Sequence, residues 1–207
     1  MEEVMKKITA KLATLSLVVG SVSAPVALAS ESPVYDYFSA YYQLVEVDEN
    51  ETGIDAEPDG FGIEFSKQFN DFMYVIASYD DVSGDYQVGT FNYDVDTQLL
   101  MAGVGFKYSA SRYTDLFFEP SVVYAEADVA GFDDDDTGFG AKAGFTHAFN
   151  PAFHLKGYLR HVNVLDEDTN SYGAEARILF SDSVHGILAA EANSDEKLYR
   201  AGVSFRF

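Results

Sequence analysis

The side chains best suited to chemistry in this 207-residue chain are four histidines, His147, His154, His161 and His185, and 34 Asp and Glu residues. There is no cysteine, which removes thiol nucleophiles, disulfides and Cys-ligated zinc together. Catalysis by the remaining groups needs a nucleophile, a base and a group that orients the base, all within hydrogen-bond reach. The sequence does not place all three, so no catalytic residue is assigned, no cofactor is implied and a non-enzymatic protein is expected.

Metal chemistry has one partial candidate. In DENETGIDAEPD (48–59), Asp48, Asn50 and Thr52 stand at alternate positions before Gly53, with Asp59 twelfth. That spacing mimics a calcium loop, but the bidentate glutamate expected at the twelfth position is missing. Weak calcium binding is the expectation. The acidic runs FDDDD (132–136) and DEDTN (166–170) could gather hard cations in the same way, or serve as solvated charge that keeps loops extended.

A third candidate is a set of isolated charges that recur on one face of alternating segments: Glu64, Glu119, Lys142, Lys156, Arg160, Glu175, Arg177, Glu191, Arg200 and Arg206. If that face is enclosed, the charges must pair, because an unpaired buried charge is costly. Two readings stay open. One is a plug of salt bridges and water, and the other a gated, selective pore in which the pairs rearrange.

The elements that must hold these residues repeat with a rhythm of about ten residues punctuated by turn residues. Segments 35–47, 60–69, 72–82, 97–108, 116–128, 137–149, 153–165, 171–181, 184–194 and 197–207 read as ten strands. Tight connections at Asn70-Asp71, Ser109–Asp115, Asn150-Pro151-Ala152 and Asp182-Ser183 alternate with longer acidic ones at 48–59, Asp80–Asp96, 129–136, 166–170 and 194–197. In the last strand Tyr199, Ala201, Val203, Phe205 and Phe207 oppose Arg200, Ser204 and Arg206. In 60–69, Phe61, Ile63, Phe65 and Phe69 oppose Gly62, Glu64, Ser66 and Gln68. A soluble barrel would show the same alternation inverted. Here the polar faces carry glycine and isolated charges, not the dense charged cover of a water-facing sheet, so the apolar faces are assigned to lipid.

Residues 1–29 differ from the rest: Lys6, Lys7 and Lys11, an apolar run LATLSLVVG, and Ala27 and Ala29 at a cleavage-site spacing. They read as a signal peptide, leaving 30–207 as one barrel domain. Removing its three lysines and two glutamates takes the formal net charge from −21 to −22. Such acidity argues against nucleic acid as a partner. No later apolar stretch is long enough for a transmembrane helix, and only a closed barrel lets strands cross a bilayer.

A signal peptide, an even number of antiparallel strands and the ending YRAGVSFRF together resemble small bacterial outer-membrane β-barrels of the OmpA-like and opacity type. The pieces YDYFSAYYQ, FNPAFHLKGYLRH and EKLYRAGVSFRF are similar to ten-stranded, diffusible-signal-regulated, quorum-related members. The resemblance implies an all-β, transmembrane, antiparallel up-and-down barrel of about ten strands in the outer membrane of a Gram-negative cell. It also implies that Phe207, with Phe205, Val203 and Tyr199, forms a signal read by the barrel-assembly machinery. Omptin-type proteases share ten strands, but their Asp-x-His element is missing, and the loops look too short for such a cleft. Outer-membrane lipid deacylases use a His-Ser pair; His147 could face lipid, but no serine within 137–149 partners it. The expected protein is therefore a monomeric surface or envelope protein in contact with lipid and lipopolysaccharide, with acidic loops outside and divalent cations as candidate partners. A narrow porin is the alternative, and a lipid-modifying enzyme the third reading.

Overall fold

A computed structural model describes residues 32–47, 55–56, 58–88, 91–129, 132–165 and 167–207. The expected signal peptide and the candidate ligands Asp48, Asn50 and Thr52 lie outside those residues. The strands are β1 (Tyr37–Val47), the two-residue β2 (Asp55–Ala56), β3 (Asp59–Asn70), β4 (Met73–Val88), β5 (Phe91–Ser111), β6 (Thr114–Val129), β7 (Phe132–Asn150), β8 (Phe153–Val164), β9 (Glu167–Ser181), β10 (Val184–Ala192) and β11 (Glu196–Arg206).

Apart from β2, which adds to the edge of β4, each strand pairs antiparallel with two neighbours. The order runs β4-β3-β1-β11-β10-β9-β8-β7-β6-β5 and returns to β4, a closed ten-stranded barrel. Closure joins the first strand to the last, from Tyr37 opposite Arg206 to Val47 opposite Glu196. With no free edge, every ladder hydrogen bond in the wall is satisfied within the chain.

One end of the barrel is made of tight turns. Three of them follow a register irregularity and are closed by the side chain that ends the strand. Asn70 Oδ1 accepts the Phe72 N–H (3.0 Å), Ser111 Oγ the Tyr113 N–H (3.2 Å) and Asn150 Oδ1 the Ala152 N–H (2.8 Å). Short polar side chains at these positions substitute for the ladder as it ends.

At the other end the structure corrects the sequence reading. Asp80–Asp96, 129–136 and 166–170, assigned above to acidic loops, are largely strand: β4 runs to Val88, β5 starts at Phe91, β6 and β7 approach through Val129 and Phe132, and β9 starts at Glu167. The periodic signal fades there because both faces of a projecting hairpin meet water, so apolar and polar residues no longer alternate. The backbone ladder continues regardless. β5 has 21 residues while β10 has nine, and about 9–11 suffice to cross a bilayer. The wall from β4 to β7 therefore stands well above the side formed by β10, β11 and β1.

The outer surface is a band of exposed apolar side chains, among them Phe61, Phe65, Phe118, Phe145, Leu159 and Phe205. The interior is mixed: Tyr37, Tyr74, Val123 and Ile187 are buried beside Ser39, Gln43, Ser66, Glu119 and Ser204, all at most 4% exposed. An apolar outer band around an interior that holds buried charge is the physical signature of a barrel solvated by hydrocarbon.

Candidate functional site

The interior is built by strands whose alternate residues point inward. One charged layer, toward the turn end, centres on Glu119 of β6. Glu119 accepts a hydrogen bond from the Tyr74 hydroxyl (2.6 Å) and pairs with Lys156 (3.2 Å) and Lys142 (3.7 Å). Beside it Arg177 of β9 reaches Glu175 on its own strand and Glu64 on β3 (3.6 Å). The Tyr37 hydroxyl also donates to Glu64 (2.7 Å), and the Arg177 guanidinium lies 3.9 Å from the centre of the Tyr37 ring. Lys107 pairs with Asp115 (3.9 Å) and donates to Gln68 (3.2 Å).

A second layer lies nearer the hairpin end. Glu191 of β10 accepts from Ser171 (2.6 Å), Tyr158 (2.9 Å) and Arg160 (3.2 Å), and Arg200 stands 4.0 Å away. Arg200 in turn meets Asp80 (3.7 Å) and donates to Gln43 (3.1 Å), while the Tyr41 hydroxyl donates to Asp80 (3.0 Å). Above this layer a cavity of about 290 Å³ opens between Val45, Val82, Leu99, Val162 and Leu198, with Arg160, Arg200, Glu191 and Asp80 in its lining. Two spaces lower in the barrel are water-sized, about 20 Å³ each.

Three inward tyrosines sit opposite inward glycines: Tyr41 across from Gly62, Tyr74 from Gly105 and Tyr158 from Gly173. Each ring lies over its glycine, so a Cβ at Gly105 would come within 2.1 Å of the Tyr74 ring and one at Gly173 within 2.5 Å of Tyr158. The missing side chain is what lets the phenol lie across the lumen and reach its carboxylate. It is an aromatic-over-glycine packing suited to a tightly curved sheet.

Of the ten charges singled out in the sequence, nine take part in these two layers. The tenth, Arg206, lines a pocket at the turn end with Tyr35, Thr146, His154, Lys156, Arg177 and His185. Sequence reasoning missed Asp80, Lys107 and Asp115 as interior charges, and the four inward tyrosines that bind carboxylates, Tyr37, Tyr41, Tyr74 and Tyr158. Asp80 shares the parity of Tyr74, Ile76 and Ser78, and Asp115 that of Phe117 and Glu119, so continued alternation is the signal that could have found them.

The other candidates lie elsewhere. His147 faces outward, its Nδ1 2.8 Å from Thr114 Oγ1 and its ring edge-on to Phe149 (4.5 Å). His161 Nδ1 is 3.0 Å from Asn170 Oδ1. Asp59 receives the Tyr42 hydroxyl, and among the described residues no group of three or more His, Asp or Glu is placed to hold a metal. Tyr199, Val203, Phe205 and Phe207 share the outer parity of β11, where the Phe207 ring stacks on Phe65 (5.9 Å) under Lys67 (5.0 Å).

The family profile described as the outer membrane protein beta-barrel domain matches residues 14–207. No curated protein matches the chain. Among solved structures, the translocator domain of the autotransporter NalP from Neisseria meningitidis superposes with a TM-score of 0.52 at 10% identity, covering 100% of this chain and 98% of that one. Ail, the attachment invasion locus protein of Yersinia pestis, aligns at 0.46 and 16% identity over 84% of this chain and 100% of that one. OprG of Pseudomonas aeruginosa aligns at 0.47 and 13%, over 86% and 98%. At such identity the NalP match speaks for the fold alone.

Proposed function

The chain belongs to the outer-membrane protein β-barrel family, and from that premise we propose that it is a non-enzymatic envelope protein whose lumen is closed by its own charges. The observation that carries this reading is the layer around Glu119 and Arg177. There Glu64, Glu119 and Glu175 are all ion-paired, Tyr37 and Tyr74 donate to two of them, and two spaces beside them are water-sized. Opening such a layer separates desolvated pairs, which costs several kcal/mol per charge left alone, about 3–5 kcal/mol for a broken pair. A narrow porin is the second reading, favoured by the cavity of about 290 Å³ that reaches down to Arg160 and Arg200. Single-channel recording in planar bilayers separates the two. Silence is the expected result, and steady, ion-selective open levels would replace the closed barrel with the porin.

In the same reading the turn end faces the periplasm and the acidic hairpins project outside among lipopolysaccharide headgroups, where divalent cations offset their charge. The barrel is a monomer, and the assembly machinery reads Tyr199, Val203, Phe205 and Phe207. Deleting Phe207 is expected to lower outer-membrane levels sharply, whereas Arg206→Gln leaves the outer face of β11 unchanged. Equal membrane levels for wild type and the deletion would remove that role. A lipid-modifying enzyme has least support, since His147 is engaged by Thr114 and packed on Phe149, an interfacial setting.

A further inference from the structure

The interior charges cancel in number but not in place. Seven basic side chains line it, Lys107, Lys142, Lys156, Arg160, Arg177, Arg200 and Arg206, against seven acidic ones, Glu64, Asp80, Asp115, Glu119, Glu175, Glu191 and Glu196. Glu196 lines the upper cavity, at the opposite end of the barrel from Arg206. Lys107 answers Asp115, Arg160 and Arg200 answer Glu191 and Asp80, and the pair Glu64 and Glu175 on Arg177 offsets the pair Lys142 and Lys156 on Glu119. Arg206 is left over, with no ion pair to a carboxylate among the described residues. Asp36, near the same mouth, is held by Lys67 (3.4 Å) and by the Gln68 N–H (2.7 Å).

A second, independent observation lies in the same pocket. His154 is 6% exposed, and its Nε2 is buried with no hydrogen-bond partner. His185, also 6% exposed, has its ring centre 6.3 Å from that of His154. A guanidinium without a counterion and an unanswered imidazole nitrogen thus line one space of about 20 Å³. That volume holds roughly one water-sized particle. Water would satisfy the hydrogen bonds but leave the guanidinium without a counterion. A tetrahedral oxyanion brings the charge but not the fit.

We propose that the turn end of the lumen is a binding site for a single monatomic, monovalent anion of the chloride class, held between the Arg206 guanidinium and His154 with His185 beside it. The anion gives Arg206 a counterion and accepts a hydrogen bond from His154 Nε2–H. Its recognition is by charge and size, which admits bromide and excludes sulfate and phosphate. The site is independent of whether the lumen conducts.

The test uses detergent-extracted, full-length protein. Excess chloride-35 NMR line broadening should appear with wild type, be reversed by bromide and not by sulfate at equal ionic strength, and persist in Arg206→Lys. It should weaken about tenfold or more in Arg206→Gln, the scale of one charge-assisted hydrogen bond. Folding of each variant is checked by far-ultraviolet circular dichroism. If Arg206→Gln does not fold, His154→Phe serves instead, since it removes the donor while keeping Arg206, and the same weakening is expected. Crystals grown in bromide should show one anomalous peak between Arg206 and His154. No excess broadening in wild type, equal broadening in a folded variant that lacks either group, or a bromide crystal with only water in the pocket would each overturn the site.

Discussion

The lumen and the projecting hairpins handle charge in opposite ways. Inside, six basic and six acidic groups interlock while Arg206 stands unpaired, and seven of the ten Lys and Arg residues that follow residue 29 are placed there. On the hairpins acidic residues face one another across the ladder, as with Asp85 opposite Asp94 and Glu126 opposite Asp135. Like charges directly opposite destabilise a sheet modestly when water screens them, whereas in the interior they would be prohibitive. The formal charge of −21 is therefore carried outside the lumen, which is close to neutral.

The largest expected effect comes from breaking the interior. Glu119→Ala leaves Lys142 and Lys156 without their carboxylate and should cost about 3–5 kcal/mol in urea unfolding from lipid vesicles. Glu126→Gln on the hairpin should lie within about 0.5 kcal/mol of wild type. A small effect for Glu119→Ala would mean that the layer is wet and the contrast false.

Next in size is a test of the boundary between lumen and lipid. Ala201→Arg places a charge on the outer face at mid-strand and should cost about 2–4 kcal/mol. Leu198→Arg points into the water-accessible cavity above Arg200 and should be tolerated. Ser204 cannot serve as the tolerant control, although it faces inward, because it is fully buried against Ser39 (3.0 Å). Equal losses at 198 and 201 would mean the faces are misassigned.

Gly105→Ala drives a methyl group into the Tyr74 ring. It should cost about 1–3 kcal/mol, the range for overpacking. Tyr74→Phe should rescue little of it, because the ring remains and the hydrogen bond to Glu119 is lost. If Gly105→Ala is neutral, the ring moves freely and the layer is looser than described.

The smallest effect belongs to the rim. Asp94 is held above the usual carboxylate range, first by its hydrogen bond to Asp85 and then by repulsion from the Asp85 carboxylate. The folded hairpin thus binds this proton more tightly than an open chain does. Its stability should rise as pH falls through the raised value and be lost again as pH increases. Amide exchange near Asp85 and Asp94, corrected for intrinsic rates, should slow on mild acidification, and Asp94→Asn should abolish the change. Identical pH profiles for the variant and wild type would show that the pair does not interact.

Much of the fold is legible in the chain, for a local reason. A strand alternates with a period of two, so Phe205 and Arg206 must part company whatever the rest of the protein does. The same rule gives Glu64 and Arg177 opposite parity to their apolar neighbours. It fails at the hairpins, where β4 to β7 continue beyond the apolar band and water on both sides erases the pattern. It holds at Asp80 and Asp115 as well, but there acidic residues near strand ends resemble turn residues and mask it.

By itself the sequence determined that this chain forms strands with one apolar and one sparsely charged face, and that such strands must close. Only the tertiary structure decided which charges meet. Glu64 on β3 finds Arg177 on β9, and Glu119 on β6 finds Lys156 on β8, through register and circumference that no local window contains. It alone also leaves Arg206 beside His154 without a carboxylate, because the closed wall decides which charges lie within reach of one another. Alternation is a property of neighbours in the chain, whereas pairing is a property of neighbours in space, and closure of the barrel creates the second from the first.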